Sequence, residues 1–227
     1  MTMPFYVPPE QLVKDRADFA RKGVSRGRPI VVLRLEEGIL LIGENSSPSL
    51  RKIGEVYDRI AFAGVGRFNE FETLRVAGVR YADLKGFSYA RDDVTGKGLA
   101  NAYSQTLGQI FSHEIKPYEV EIMVAELGED VEADRLFRVQ FDGTLRDADG
   151  VAVLGAHEDA IAEKIEESVT ADIGLGDAID LACTVIEQAQ DREVPIAGWE
   201  TGFLDRSESR RVFRRLSVDE ISAARGS

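Results

Sequence analysis

The residues that could carry chemistry are few in this chain of 227 residues, which has two histidines and one cysteine. His113 and His157 lie far apart in the sequence, and neither has the close spacing of a metal-binding pair. A single cysteine excludes an intramolecular disulfide framework and any site built from several thiolates. Cys183 falls on the apolar side of a predicted helix with Ile179 and Ile186, so we interpret it as a core residue. We therefore expect no bound metal and no cofactor.

Short motifs that bind nucleotides or build hydrolase sites are missing or incomplete. The sequence contains no G-x-x-x-x-G-K-[ST] phosphate loop and no G-x-S-x-G nucleophile elbow. Gly64 and Gly66 follow a predicted strand, but Asn69 stands where a dinucleotide loop needs its third glycine. We interpret this segment as a tight turn between a strand and a helix. The acidic run at 163–167 fits a solvated helix face better than a catalytic pair of carboxylates.

An N-terminal nucleophile is the remaining kind of catalytic group. It requires a Thr, Ser or Cys whose own α-amine acts as the base, placed just ahead of the first strand. Here the first strand begins at Arg28, and the nearest hydroxyl upstream belongs to Ser25. The only Gly-Thr pair, at 143–144, lies inside a late predicted hairpin, where cleavage would split a sheet. The residues alone therefore identify no catalytic group.

Helix patterns and caps indicate the elements that must position these residues. Pro9 suits the first position of a charged surface helix, and Gly23 can end that helix. Thr95 can cap a later helix, and Ser217 with Glu220 predicts a capping box. The predicted helices cover 9–22, 69–84, 96–113, 157–169 and 175–190, with a short last helix from 217.

Strand-like runs fall into two groups that alternate with pairs of helices. The first two runs surround a short turn at 36–38 and are nearly continuous in apolar residues, which predicts a hairpin buried on both faces. The predicted strands cover 29–35, 39–44, 51–55, 58–65, 118–127, 135–141, 151–154, 196–203 and 211–216. This order predicts two stacked sheets with helices outside them. No linker or internal repeat divides the chain, so we predict one domain.

The net charge of −12 is unevenly distributed. Residues 119–193 contain 21 acidic and five basic side chains, whereas residues 1–35 contain seven basic and three acidic ones. Such acidity argues against a protein that coats nucleic acid and favours a solvated face. No apolar run is long enough for a membrane span, and the start lacks the features of a secretory signal. We expect a soluble, cytoplasmic protein with neither nucleic-acid nor membrane partners.

Several segments in a fixed order closely resemble 20S proteasome α subunits of the actinobacterial type over nearly the whole chain. The segments are PFYVPPEQ, DRADFARKGVSRGRPIVVL, SLRKIGEVYDRIAFAGVGRFNEF, DVTGKGLANAYSQTLGQIF and KPYEVEIMVAELG. The resemblance implies an α+β fold, the four-layer αββα sandwich of N-terminal nucleophile hydrolases and proteasome subunits. It divides a single domain of 1–227 into an arm at 1–8, a surface helix at 9–23, a core at 28–216 and a C-terminal tail at 217–227.

The resemblance implies a non-catalytic subunit of a threonine-type endopeptidase complex. Arg28 occupies the position where β subunits carry their catalytic threonine, and it has neither a free amine nor a nucleophilic side chain. The implied assembly is a seven-membered ring of α subunits stacked on each end of a β double ring. In the family, the segment before the first helix closes the axial pore. The corresponding gate residues here are Met3, Pro4, Phe5, Tyr6, Val7 and Pro8.

By the same resemblance, activators insert their C-termini into pockets between neighbouring α subunits. Lys52 matches the lysine that binds the C-terminal carboxylate, and Gly66 and Arg67 match the loop of that pocket. Arg67 departs from archaeal relatives, which carry an apolar residue there. The implied partners are β subunits, other α subunits, a ring-shaped proteasomal ATPase or other activator, and unfolded or tagged protein substrates.

Two other interpretations remain open from the sequence. One is a self-standing amidohydrolase of the N-terminal nucleophile superfamily, and the other is a homo-oligomeric scaffold without a protease partner. Intact-mass analysis separates the first from the α-subunit interpretation, because an amidohydrolase would be cut to expose Ser, Thr or Cys. Purification with and without a co-expressed β subunit separates the second.

Overall fold

The fold consists of two five-stranded sheets and the helices that cover them. The computed structural model describes residues 8–47, 49–170, 172–209 and 211–226. The helices in these ranges are α1 (Pro9–Val24), α2 (Phe68–Ser88), α3 (Gly96–His113), α4 (Glu158–Ser168), α5 (Leu175–Gln190) and α6 (Val218–Arg225). The strands are β1 (Ile30–Leu35), β2 (Gly38–Glu44), β3 (Ile53–Tyr57), β4 (Ile60–Gly66), β5 (Val120–Glu126), β6 (Arg135–Val139), β7 (Leu145–Ala148), β8 (Val151–Leu154), β9 (Trp199–Asp205) and β10 (Phe213–Arg215).

Both sheets are antiparallel. The first sheet has the strand order β10-β9-β2-β1-β8, and the second has the order β3-β4-β5-β6-β7. The predicted hairpin is confirmed, with Leu35 paired to Gly38 across its turn. Each residue of β2 is buried, as its continuous apolar run predicts for a strand covered on both faces.

Three apolar layers hold the sandwich together. One lies between the sheets and includes Ile30, Leu41 and Met123. A second lies between the first sheet and helices α4, α5 and α6, and a third lies between the second sheet and helices α2 and α3. The predicted α+β architecture, a four-layer αββα sandwich, is therefore confirmed.

Helix α1 lies outside the four layers and contacts β4 and β5. It buries only Ala20 and Val24, which pack near Phe141. The prediction that Gly23 ends this helix is wrong, because the helix continues to Val24. Gly23 is needed for close packing instead, since a side chain there would overlap that of Glu119.

Local cap signals predict helix starts well in this chain. The Thr95 hydroxyl accepts a hydrogen bond from the main chain of Gly98 at 3.1 Å, and Ser217 and Glu220 form the predicted capping box. The prediction missed β7, whose residues are half-buried or exposed at the edge of the second sheet. Among the described helices, none is both long and apolar enough to cross a membrane.

Candidate functional site

Arg28 lies just before β1, where the chain arrives from α1. Its nitrogen is part of a peptide bond to Gly27, so no α-amine is available at this position. Its guanidinium donates a hydrogen bond to the Glu44 carboxylate at 2.9 Å and approaches the Gln190 side-chain oxygen at 3.5 Å. The side chain at this position is therefore a fixed cation and not a nucleophile.

Glu44 is the buried carboxylate at the end of β2. Besides Arg28, it accepts a hydrogen bond from Arg192, which follows α5. A buried carboxylate is costly unless it is paired and hydrogen-bonded. Two guanidinium groups satisfy that requirement here, which explains why an acid can end a strand that is otherwise apolar.

Lys52 precedes β3, and its ammonium group points toward the same two residues. Nζ donates to the main-chain oxygen of Glu44 at 3.1 Å and to that of Arg28 at 3.3 Å. A lysine ammonium has three donors. Within the described residues no carboxylate forms an ion pair with Nζ. Lys52 is thus a positive charge held by main-chain carbonyls and able to bind a further acceptor.

The environment of Lys52 lowers its pKa but leaves the side chain charged at neutral pH. Burial lowers the pKa of Lys52 to about 8, and the carboxylates of Glu200 and Glu44 oppose this effect. Arg28 lowers the same pKa further through charge repulsion. At neutral pH the ammonium form still predominates, so the group can attract an anion.

Gly66 ends β4 beside the segment that carries Arg28. Its φ is +109°, and a Cβ at this position would overlap the main-chain oxygen of Glu119. A Cβ added to Gly27 would lie 3.2 Å from the nitrogen of Gly66. Residues 27–28 therefore lie between the two predicted pocket residues: Arg28 contacts Lys52, and Gly27 packs against Gly66.

Arg67 makes its contacts elsewhere. Its Nε lies 3.0 Å from a carboxylate oxygen of Glu119, and its main-chain N–H donates to the oxygen of the same residue at 3.0 Å. Lys116 pairs with both Glu119 and Glu70, at 3.0 and 2.6 Å. Arg67 is thus part of an ion-pair network that fixes the turn after Gly66.

The remaining predicted residues lie away from this site or outside the described ranges. Met3, Pro4, Phe5, Tyr6 and Val7 lie outside the described residues, and Pro8 is exposed at the start of α1. His113 and His157 are exposed. Cys183 is buried, as predicted, and burial raises its pKa to about 12. The described part of the chain holds no group of three His, Cys, Asp or Glu side chains suited to a metal ion.

Two buried carboxylates of this site escaped the sequence analysis. The Glu44 carboxylate accepts hydrogen bonds from Arg28 and Arg192, and the Glu200 carboxylate accepts one from the main-chain N–H of Lys52. The signal available for Glu44 was an acid that ends the apolar run ILLIGE, and the signal for Glu200 was an acid within the closing strand. An acid in a buried strand requires partners, but the sequence does not show which they are.

Known proteins of one family resemble the chain over most of its length. The model of the family described as Proteasome subunit matches residues 24–201. The chain is 51% identical over 222 residues to Proteasome subunit alpha of Thermomonospora curvata, an alignment that covers 97% of this chain and 96% of that relative. It is 52% identical to the protein of the same name from Arthrobacter sp. (strain FB24), covering 98% of this chain and 97% of the relative. For Xylanimonas cellulosilytica the identity is 50%, covering 100% of this chain and 97% of the relative.

Proposed function

Because the chain belongs to the proteasome subunit family and is an α subunit, we propose that it forms the non-catalytic outer ring of a bacterial 20S proteasome core. Seven copies form a ring that caps each end of a β double ring, and the β subunits cleave the substrate. The ring admits unfolded or tagged protein and docks a ring-shaped ATPase or another activator in the cytoplasm.

The lack of a nucleophile supports the non-catalytic role. An N-terminal nucleophile needs a side-chain hydroxyl or thiol and a free α-amine on the same residue. Arg28 has neither, and its guanidinium is paired with Glu44. This arrangement also weighs against a self-standing amidohydrolase, for which intact-mass analysis of the purified chain would reveal a cut N-terminus.

The observation that carries the docking proposal is the environment of Lys52. A C-terminal carboxylate needs a cation at a defined position, and a lysine ammonium supplies a compact one. Two main-chain carbonyls hold Nζ, and the ammonium has one more donor than these contacts use. Gly66 lies close by and provides main chain without a side chain in the way.

Replacing Lys52 by alanine tests the docking role. A hydrogen bond to a charged group contributes about 1.5–3 kcal/mol, so we expect K52A to reduce activator-stimulated degradation roughly tenfold or more. The measurement is degradation of a tagged protein by the α–β core particle with its ATPase. Lys164→Ala, which removes an exposed lysine of α4, is the matched control and should leave the rate unchanged. Unchanged stimulation in K52A would remove Lys52 from docking.

The gate is the second part of the proposal. The arm at 1–8 precedes α1, and α1 is a charged surface helix that buries little of its own surface. The N-terminal 35 residues carry an excess of basic side chains, seven against three. We place this basic region on the face of the ring that meets partners, with the arms meeting at the central axis.

A further inference from the structure

Glu200 on β9 accepts more hydrogen bonds than the other carboxylate of the site, Glu44. It is buried, and four donors converge on its two oxygens. One oxygen accepts from the main-chain N–H of Lys52 at 3.0 Å and from the side chain of Asn45 at 2.6 Å. The other accepts from the main-chain N–H of Ile53 at 3.2 Å and from Arg215 at 3.0 Å. Glu200 thus holds the chain where the loop before β3 becomes a strand.

Arg215 completes this clamp from β10. Its second terminal nitrogen donates to the main-chain oxygen of Ile53 at 2.6 Å, while its first donates to Glu200. The guanidinium of Arg215 therefore bridges the Glu200 carboxylate and the first residue of β3, which the same carboxylate also binds. Burial of this carboxylate is tolerated because both of its oxygens accept hydrogen bonds and its charge is paired with that of Arg215.

The same carboxylate organises the loop that leads to Lys52. Asn45 bridges Glu200 to the main-chain oxygen of Leu50 at 2.6 Å, and its own side-chain oxygen accepts from Ser47 at 3.0 Å. The main-chain oxygen of Lys52 accepts from Gly64 at 2.9 Å. Both main-chain polar groups of Lys52 are therefore hydrogen-bonded, and only its ammonium has a donor left for a ligand.

We propose that Glu200, braced by Arg215, is the positioning residue that fixes the main chain at Lys52 and so aims its ammonium at an incoming carboxylate. This inference rests on the docking function proposed above. Glu200 itself does not contact the ligand. It acts through Lys52, because it holds the Lys52 main chain and adds a negative charge near the ammonium.

Charge supports the geometric argument. Burial lowers the pKa of Lys52 to about 8, and Glu200 is the carboxylate that opposes this most. The charged groups around Lys52 and its two carboxylate neighbours come from several parts of the fold: Arg28 before β1, Glu44 on β2, Arg192 after α5, Glu200 on β9 and Arg215 on β10. Removal of the negative charge of Glu200 should therefore make Lys52 lose its proton at lower pH.

The variant Glu200→Gln tests the proposal in the assembled α–β core particle. The first measurement is the pH dependence of Lys52 acetylation by acetic anhydride, followed by mass spectrometry with Lys164 as internal reference. The second is binding of a labelled peptide with the C-terminal sequence of the cognate ATPase, compared with its C-terminal amide. We expect the acetylation curve of Lys52 to move to lower pH and the affinity for the free-acid peptide to fall roughly tenfold.

Controls make the outcomes distinct. Glu208→Gln, an exposed glutamate beyond β9, should match the wild type in both measurements. An unchanged Lys52 curve in E200Q would overturn the proposal, even with reduced affinity, because removal of a negative charge that acts on the ammonium must move that curve. If K52A keeps its affinity while E200Q shifts the curve, the influence of Glu200 on Lys52 stands and the docking function fails.

A second variant covers the case in which E200Q does not assemble. Glu200→Asp keeps the charge but is one methylene shorter, so it cannot reach the main chain of both Lys52 and Ile53. Because E200D keeps the charge, we expect the acetylation curve of Lys52 to stay near that of the wild type. We expect weaker binding of the free-acid peptide and unchanged binding of its C-terminal amide, since only the free acid uses the Lys52 ammonium. Wild-type affinity in E200D would overturn the proposal.

Discussion

Gly66 is the residue of the site whose backbone conformation is most demanding. Its φ of +109° is unfavourable for any residue with a side chain, and a Cβ would overlap the main chain of Glu119. We expect Gly66→Ala to lower the free energy of unfolding by about 1–3 kcal/mol from backbone strain alone. Denaturant unfolding of the purified chain measures this effect.

A second glycine provides the control for this prediction. Gly176 lies within α5, and a Cβ added there would meet nothing within 4 Å. Gly176→Ala should therefore stabilise the chain slightly, by about 0.5–1 kcal/mol. Equal stabilities of G66A and the wild type would mean that the turn between β4 and α2 adjusts easily, contrary to the geometry.

At this scale the sequence predicts part of the site and misses the rest for a physical reason. Lys52 and Gly66 are predicted from a resemblance of short segments, and the structure brings Lys52 beside Arg28 and Gly66 beside the preceding Gly27. Glu200 was missed because it meets the Lys52 main chain from 148 residues away in the sequence. Pairing of a buried acid with donors so distant is a property of the packed fold and leaves no local pattern.

Among the elements, the N-terminal arm offers the clearest functional test. Deletion of residues 2–8 should raise basal hydrolysis of a small fluorogenic peptide by the assembled particle several-fold, because the proposed plug of the central pore is removed. The assay needs no activator, so it is independent of Lys52. Lys14→Ala on the exposed face of α1 is the control and should leave basal hydrolysis unchanged. A deletion variant with wild-type basal rate would contradict the gate assignment.

Helices and strands are predictable from the sequence where their ends depend on neighbouring residues. The capping box of α6 depends on Ser217 and Glu220 alone, and the hydroxyl of Thr95 caps its own helix, so both were readable from neighbouring residues. Strand β3 begins at Ile53, two residues later than predicted, because Lys52 lies where Glu200 holds the chain. Strand β7 was missed because an edge strand with exposed side chains has no pattern of burial.

For the molecule as a whole, the acidic composition has two distinct physical meanings. Acidic residues of α4, such as Glu163 and Glu167, are exposed and form a solvated face, as the sequence suggested. Several other acids are buried and paired with arginines. The pairs are Glu44 with Arg28 and Arg192, Glu121 with Arg138, Asp134 with Arg206, and Glu200 with Arg215. Net charge alone could not distinguish these two populations, because it counts paired and solvated acids equally.

Exposed apolar side chains at the end of α2 indicate a surface that assembly would cover. Leu84 is 67% exposed and Phe87 89% exposed at the end of α2, next to Tyr81 and Tyr89. Apolar groups of this size clustered on one surface typify subunit interfaces. We expect the double variant Leu84→Asp and Phe87→Asp to fold normally, since neither side chain is in the core, but to reduce recovery of the particle with a co-expressed β subunit at least tenfold. Asp83→Asn, an exposed change on the same helix, should assemble normally. Gel filtration and mass measurement of the purified particle distinguish the two, and wild-type recovery of the double variant would exclude this surface from assembly.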